Sequence, residues 1–457
     1  MLLKVSFPVI LSLLFQAIYS LIDSIYLSKL GEKILSAVSL AFVVQSLAVS
    51  LFSGIATGTN ALLSRSIGED NYNKAHKVVI NGIFTQLILI AAFALFGAFG
   101  VKSYYMHSTT DNSIIDYGIS YLRPCMLFVF SGALQLTFER LLQSAGLSKL
   151  TLVSQGIGAI CNIVLDPIFI FGCGIMPRLG VSGAAYATIV SQCLALVLAL
   201  IFNLKYNYKV LFKSKKQSFI SLHYILKICC IGIPASAVTI GAAIGNYYIN
   251  IILIGFESTA NAAFGIYTKL QSIALMTING MHVGILTVLS FFYGRKNALR
   301  MKNTIVSGES ILFILGLLNT IAFICFPGLL LKPFNPTLQM IEVGIPCFRI
   351  IGLTYLPSNM MSGISAFLHS VGKSYLSLFV ALGRQFFVRI PVALLLARTG
   401  NPNTIWWCWP ISEITSDILI IIFFKKTYSK TISTLNPIII SRGGLKNEQK
   451  RMGPGCN

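Results

Sequence analysis

Charge is what this sequence has least of. Only 11% of its 457 residues are Asp, Glu, Lys or Arg, and just 14 are acidic. Water-soluble domains carry about 25% charged residues. The chain therefore cannot cover a wholly water-facing exterior, and the two or three soluble domains its length would allow are excluded. Metal and disulfide chemistry are equally thin. The ten cysteines are scattered, with no CxxC pair and no Cys/His cluster, and read as small apolar fillers. The five histidines (His76, His107, His223, His282, His369) show no metal-binding spacing. That argues against a membrane-embedded prenyl- or acyltransferase, which needs acid clusters or a His–acid pair. No enzyme activity and no cofactor are expected.

Apolar residues are abundant: 55% of the chain is hydrophobic and the mean hydropathy is +0.78. A hydrocarbon core about 30 Å thick takes roughly 20 apolar residues at about 1.5 Å each. Twelve stretches qualify, near 5–28, 34–62, 78–101, 117–138, 150–173, 183–203, 226–255, 260–292, 304–327, 343–367, 374–397 and 404–424. The first is expected to stay as a span rather than be removed as a signal peptide, because its run is long and no small-residue cleavage site follows. The reading is an all-α polytopic membrane protein.

The net charge of +21 is unevenly distributed. Of the 35 Lys and Arg residues, 24 fall on the face that holds both termini, 6 on the other face and 5 inside spans. This is the positive-inside pattern, which places both termini in the cytoplasm of a cell-membrane protein. It explains the basic loops without nucleic acid, so the partners expected are small organic molecules and membrane lipids.

The chain also repeats itself at an offset of 226 (234 − 8). Pro8 then meets Pro234, and Gln45-Ser46 meets Gln271-Ser272. Gly54 and Gly58 meet Gly280 and Gly284, and Gly68 meets Gly294. Farther on, Arg123 meets Arg349, and Ser144, Gly146 and Ser148 meet Ser370, Gly372 and Ser374. Shared Gly, Pro, Gln and Arg at one fixed offset are not chance. Six spans per repeat put both halves in the membrane in the same orientation, the parallel-repeat design of some transporters. The division expected is a six-helix bundle over 1–203, a cytoplasmic linker over 204–225, a second bundle over 226–424 and a basic cytoplasmic tail over 425–457. The Gly pairs, at small-xxx-small spacing, are expected to be close helix contacts.

Acids inside spans are costly and default to function. The candidates are Asp23, Asp166, Glu309, Glu413 and Asp417. Counted from Lys4 and Lys149, Asp23 lies about 28 Å and Asp166 about 25 Å along spans that run outward. Thr188, a turn or so into a span that starts at the outer face, shares that depth. Asn162 and Asp166, at i and i+4, project from one helix face, and Pro167 removes a backbone donor beside them. Two carboxylates, an amide and a hydroxyl at one level form a proton or Na⁺ site. Two carboxylates in a dry pocket cannot both ionise cheaply, so the pair can hold a proton. Structural alternatives stay open: Asp166 as a helix cap or counter-ion, Asn162 as interhelical glue, Asp23 at the headgroups, Pro8 as a tolerated first-turn proline. Glu413 and Asp417 are expected to pair with Arg384 or Arg389. Trp406, Trp407 and Trp409 are expected in an interfacial belt, and Glu309 at the cytoplasmic interface.

The run LLQSAGLSKLTLVSQGIGAICNIVLDPIFIFG, with GVSGAAYATIVSQ after it, resembles the multidrug and toxic compound extrusion (MATE) transporters. So do FPVILSLLFQAIYSLIDSIYLSKLG and GIATGTNALLSRSIGEDNYNKA. The likeness covers about residues 5–425. It implies twelve helices in two six-helix lobes around a V-shaped cavity, exporting organic cations as a monomer in exchange for H⁺ or Na⁺. The bacterial DinF-like branch is the nearest fit. Matched onto this chain, the resemblance implies ion coupling at Asp23, Asn162, Asp166 and Thr188, by H⁺ or with Na⁺ as the metal ion bound there. It also implies cavity-facing Gln16 and Tyr19 and a bending proline at Pro8; Pro167, which frees a backbone carbonyl, is expected as a second hinge. Spans 7 and 10 carry acids only at their ends, Glu257 and Glu342, unlike branches with essential carboxylates inside those helices. A flippase for lipid-linked oligosaccharides is the alternative. It would line its cavity with several Arg, whereas the in-span Arg here are Arg123, Arg349, Arg384 and Arg389, two of them repeat-related and so expected to be paired.

Overall fold

The computed structural model of the chain describes residues 1–172, 177–207, 220–254, 256, 258–334 and 337–435. Among these, regular structure is helical and no strand occurs. Long apolar segments in lipid must satisfy every backbone group internally, and helices do so. In chain order they are α1 (Leu2–Ser28), α2 (Glu32–Gly68), α3 (Tyr72–Ser108), α4a (Asn112–Leu127) with α4b (Phe130–Ser144), α5 (Ser148–Gly172) and α6 (Val181–Tyr206). Then follow α7 (Leu222–Ile254), α8 (Ser258–Gly294), α9 (Ala298–Cys325), α10a (Leu338–Gly352) with α10b (Tyr355–Ser370), α11 (Ser374–Ala397) and α12 (Pro402–Leu435). Ten are long and apolar enough to cross a membrane by themselves, and each bent pair adds one span, giving twelve.

The repeat governs local geometry. The bends of α4 and α10, 43° and 41°, fall at equivalent positions. Asp70 and Lys296, also equivalent, both adopt positive φ (52° and 53°) in the turns that follow α2 and α8. Next to them Asn71 and Asn297 cap α3 and α9 by accepting from the amides of Lys74 and Arg300. Gly146 and Gly372, at φ 78° and 79°, close α4b and α10b, each followed by an amide that reaches back to the last helical turn. Only glycine adopts that backbone without strain.

Consecutive helices are not the main partners at the centre. α1 packs chiefly against α8 and α5, and α2 against α7 and α8. One apolar cluster accordingly mixes Leu2, Val5 and Ala61 with Met281, Leu286 and Phe367, while two others stay within one half each. The repeated glycines make these crossings close. A Cβ on Gly54 or Gly58 would strike α7 at Gly232, Ser236 or Ile228, and one on Gly280 or Gly284 would strike α1 at Ile10 or Ser6. Gly68 lies on the carbonyl of Phe291, and its equivalent Gly294 on that of Arg65, the equivalent of Phe291. Asn60 donates to Thr287 across the same seam at 3.0 Å, and Arg65 sits 4.5 Å over the Tyr293 ring. All these contacts lie in the half of the molecule next to the basic face, where the two repeats close on each other.

The stretch expected as the basic tail starts within a helix, since α12 stays helical to Leu435; residues 436–457 lie outside the described residues, as do 208–219 of the linker and Glu257. Two expectations need correction. The tryptophans do not form a belt. Trp406 and Trp409 are 0% and 3% exposed and pack with Phe264 in the second-half core, leaving Trp407 outside. Position in sequence placed them near an interface, but the helix face they occupy decides the environment. Arg123 and Arg349 are exposed rather than paired inside a bundle.

Candidate functional site

α5 carries a buried polar group shared with α6. Asn162 donates to Asp166 Oδ1 at 3.2 Å and makes a long 3.5 Å contact with Thr188 Oγ1 on α6. The two helices can approach this closely because Gly158 lies against Ser191 and Ala195, and Gly183 against the Phe169 backbone. After Pro167 the helix loosens into a π-helical turn, Ile168–Gly172, where such turns recur at functional sites. Asn162 and Asp166 are 1% and 0% exposed. Asp23 of α1 lies within electrostatic range of Asp166. The structure thus joins Asn162, Asp166 and Thr188 across α5 and α6, with Asp23 of α1 near enough to act on Asp166.

The group is short of hydrogen-bond partners. Asp23 Oδ1, Asp166 Oδ2 and Asn162 Oδ1 are buried and accept from no protein donor. Buried acceptors are almost always satisfied, and leaving one unpaired costs about 1–3 kcal/mol, more when charged. Three such oxygens at one level are a set that a proton, a hard cation or water would complete. No group of three or more His, Cys, Asp or Glu able to hold a metal occurs among the described residues. A Na⁺ here would depend on amide, hydroxyl and carbonyl oxygens as well as the two carboxylates.

Around this group stand residues that sequence reasoning treated only in part. Gln16 and Tyr19 interact through their side chains, and Tyr19 lies within electrostatic range of Asp23, Asp166 and Glu139. Tyr121 of α4a, paired with Gln45 of α2, faces the same two aspartates. α1 runs unbroken through Pro8, whose carbonyl accepts from the Ser12 hydroxyl at 2.8 Å.

Elsewhere the acids separate cleanly. Glu413 takes both expected arginines, Arg384 at 2.7 Å and Arg389 at 2.9 Å, and Arg389 also lies over Trp409. Among the described residues Asp417 makes no ion pair at contact distance. Glu309 is not at an interface with water: both carboxylate oxygens are buried without a partner, against Gly363 of α10b. Glu139 and Arg140 are not among the sequence candidates, since they lie just past the apolar stretch 117–138. α4b runs on to Ser144, and both side chains are 6% exposed. The repeated Ser-x-Gly-x-Ser at 144 and 370 was the available signal, since it marks the helix end in both halves.

Comparison with known proteins agrees with this architecture. The MatE family profile matches residues 8–168 and again 234–395, once in each repeat. A protein of Shewanella oneidensis named FAD transporter is 25% identical over 91% of this chain and 92% of its own length. The Bacillus subtilis protein named probable multidrug resistance protein YoeA is 22% identical over 93% and 92%. A solved outward-facing structure of a multidrug resistance MATE family transporter superposes with a TM-score of 0.87, covering 94% of this chain and 96% of that one at 21% identity. A Pyrococcus furiosus transporter of the MOP superfamily gives 0.86 over the same shares at 20% identity. With its profile matched twice along a twelve-span helical chain, the protein belongs to the MatE family, the MATE transporters.

Proposed function

We propose that the chain is a monomeric antiporter of the plasma membrane, with both termini cytoplasmic, that exports amphipathic organic cations in exchange for H⁺ or Na⁺. Among MATE branches its polar group fits the DinF-like one. The observation that carries the reading is the set of unpartnered buried oxygens on Asp23, Asn162 and Asp166, at one level with Thr188. These oxygens take up the coupling ion. Gln16 and Tyr19, nearer the cytoplasm on the same helix, contact substrate. Pro167, followed by the π-helical turn, and Pro8, which removes one backbone donor from an otherwise continuous α1, are the points at which α5 and α1 flex.

With the repeats in close contact at the basic face, we take this state as the one open to the outside. There the ion binds and substrate leaves. A ligand shifts a two-state equilibrium only by its differential affinity. Ion occupancy must therefore favour one arrangement of α1 and substrate the other.

Ethidium efflux from proteoliposomes under an imposed pH or Na⁺ gradient tests the reading. One gradient should drive efflux in wild type, and Asp166→Asn and Asp23→Asn should abolish it. If both variants insert and still export, the site is wrongly assigned. No driven flux of any drug in wild type would favour the lipid-flippase alternative. The similarity to a relative named FAD transporter makes flavin adenine dinucleotide the second substrate to load.

A further inference from the structure

We infer that Glu139 is the cytoplasmic-side proton acceptor of this site, with the Tyr19 hydroxyl standing between it and the two aspartates. The inference rests on the antiport reading above and adds the route by which the proton leaves.

Glu139 is an intramembrane carboxylate that the reading so far leaves unused, and it is held in place from several sides. Its Oε1 accepts from Gln135 Nε2 at 3.1 Å and from Ser154 Oγ at 3.3 Å. Gln135 donates in turn to Gln155 at 2.6 Å, and Thr151 reaches the Glu139 carbonyl at 3.4 Å. Gln135, Gln155, Ser154 and Thr151 are all buried. Oε2 makes no such bond and is free to gain or lose a proton. A network in which one oxygen is anchored and the other is not suits a carboxyl that titrates without moving.

Its height relative to the aspartates follows from the packing of α1 on α5. Gly156, next to Gln155, faces the Phe15 ring, 3.9 Å from where a Cβ would stand. Phe15 therefore marks the level of the Glu139 network on α1. Tyr19 lies one turn above it and Asp23 one turn above that, about 6 Å per step at 1.5 Å per residue. Tyr19, bonded to Gln16 through its side chain, accordingly lies within electrostatic range of Asp23, Asp166 and Glu139 together.

The charged and titratable groups around Glu139 are few. Arg140, on its own helix, acts on it and bonds Gln143 at 2.7 Å. α5 offers only the neutral Ser154, Gln155 and Thr151, and α1 offers Tyr19. Across the seam, His282 of α8 lies within range of Arg140. Arg140 balances the charge of Glu139 without reaching ion-pair distance, so the carboxylate can exist in both forms.

The step balances simply. The aspartate pair gives its proton to the Tyr19 oxygen as the Tyr19 hydroxyl proton passes to Glu139 Oε2. Tyr19 is unchanged, the pair becomes fully ionised, and Glu139 becomes a carboxylic acid. Glu139 then releases the proton to water when the cytoplasmic side opens.

The test separates driven transport from exchange. In proteoliposomes, Glu139→Gln keeps the hydrogen bond from Gln135 but cannot accept a proton. Ethidium efflux driven by a pH gradient should fall to the level of Asp166→Asn, while ethidium–ethidium exchange at equal pH stays near wild type. Loss of both, or of neither, overturns the inference. Should Glu139→Gln fail to insert, Glu139→Asp retains a titratable group set one methylene back; driven efflux should slow while exchange holds, and any other pattern refutes the relay. Wild-type efflux driven by Na⁺ alone overturns the relay but leaves antiport standing. Wild-type efflux driven by neither gradient overturns the antiport reading itself.

Discussion

Gly294→Ala is the most direct probe of how the two repeats close. In the closed arrangement the added Cβ would run into the Arg65 carbonyl, with the Arg65 carbonyl carbon 3.0 Å away. Both partners are backbone, so no rotamer change relieves the clash and the helix ends must separate. Overpacking of this kind costs about 1–3 kcal/mol. Because the contact exists only when the basic face is closed, the cost falls on that state alone. The closed population should drop against the open one by roughly 5- to 150-fold. Gly68→Ala, its repeat equivalent against Phe291, should do the same, and Gly265→Ala, where a Cβ meets nothing within 4 Å, should do neither. Spin labels at the exposed, repeat-equivalent positions Asn73 and Leu299 read the separation of the two basic-face turns. The short-distance population should shrink in both variants and persist in the control. An unchanged distance distribution in inserted Gly294→Ala protein would refute the claim that these glycines hold the closed state.

Two further predictions concern charge. Glu413→Gln leaves Arg384 and Arg389 without their shared counter-ion in a buried setting, which costs about 3–5 kcal/mol; a clear fall in the apparent Tm of detergent-purified protein is expected, and an unchanged Tm would mean the arginines find other partners. At the basic-face turn, partial burial works against ionisation of Glu69, yet Lys74 at 2.6 Å and Arg65 at 3.1 Å outweigh it and hold the carboxyl below its usual value of 4.5. A depressed carboxyl stabilises the fold above its unfolded value and loses that contribution as pH falls through the folded one. Amide protection factors in residues 66–75, taken relative to the intrinsic exchange rate at each pH, should fall below about pH 4.5, and Glu69→Gln should remove that acid-side change. The aspartate and Glu139 substitutions described above complete the set.

How far the sequence went can be judged residue by residue. The twelve spans were legible because lipid demands long apolar runs, and their boundaries differ mainly where a helix continues past the hydrocarbon, as α12 does beyond Lys425-Lys426. Asn162, Asp166 and Thr188 were legible because helical periodicity and a common depth fix which side chains share a level. Asp23 followed from the same count along α1. Glu139 was not, since an acid next to an arginine near a span end looks the same whether it faces water or a buried glutamine. Trp406 and Trp409 failed for a related reason: an aromatic near an interface can turn toward headgroups or toward Phe264, and composition does not say which.

What the sequence determined by itself was therefore class and repetition. Too little charge for water, twelve apolar runs, a biased distribution of Lys and Arg, and a 226-residue offset leave one kind of molecule. The offset also determined the turns, because Asp70-Asn71 and Lys296-Asn297 build the same cap from purely local bonds. Tertiary structure decided which surfaces meet. The spacing of Gly54 and Gly58 announced a close contact, but only the packed chain shows α7 as its partner, and likewise α1 for Gly280 and Gly284. It decided too that three oxygens at the site lack donors and that Glu139 is anchored through Gln135 and Ser154. The physical reason is that periodicity and depth are properties of one helix, whereas partnership between faces depends on how several helices fill the same space.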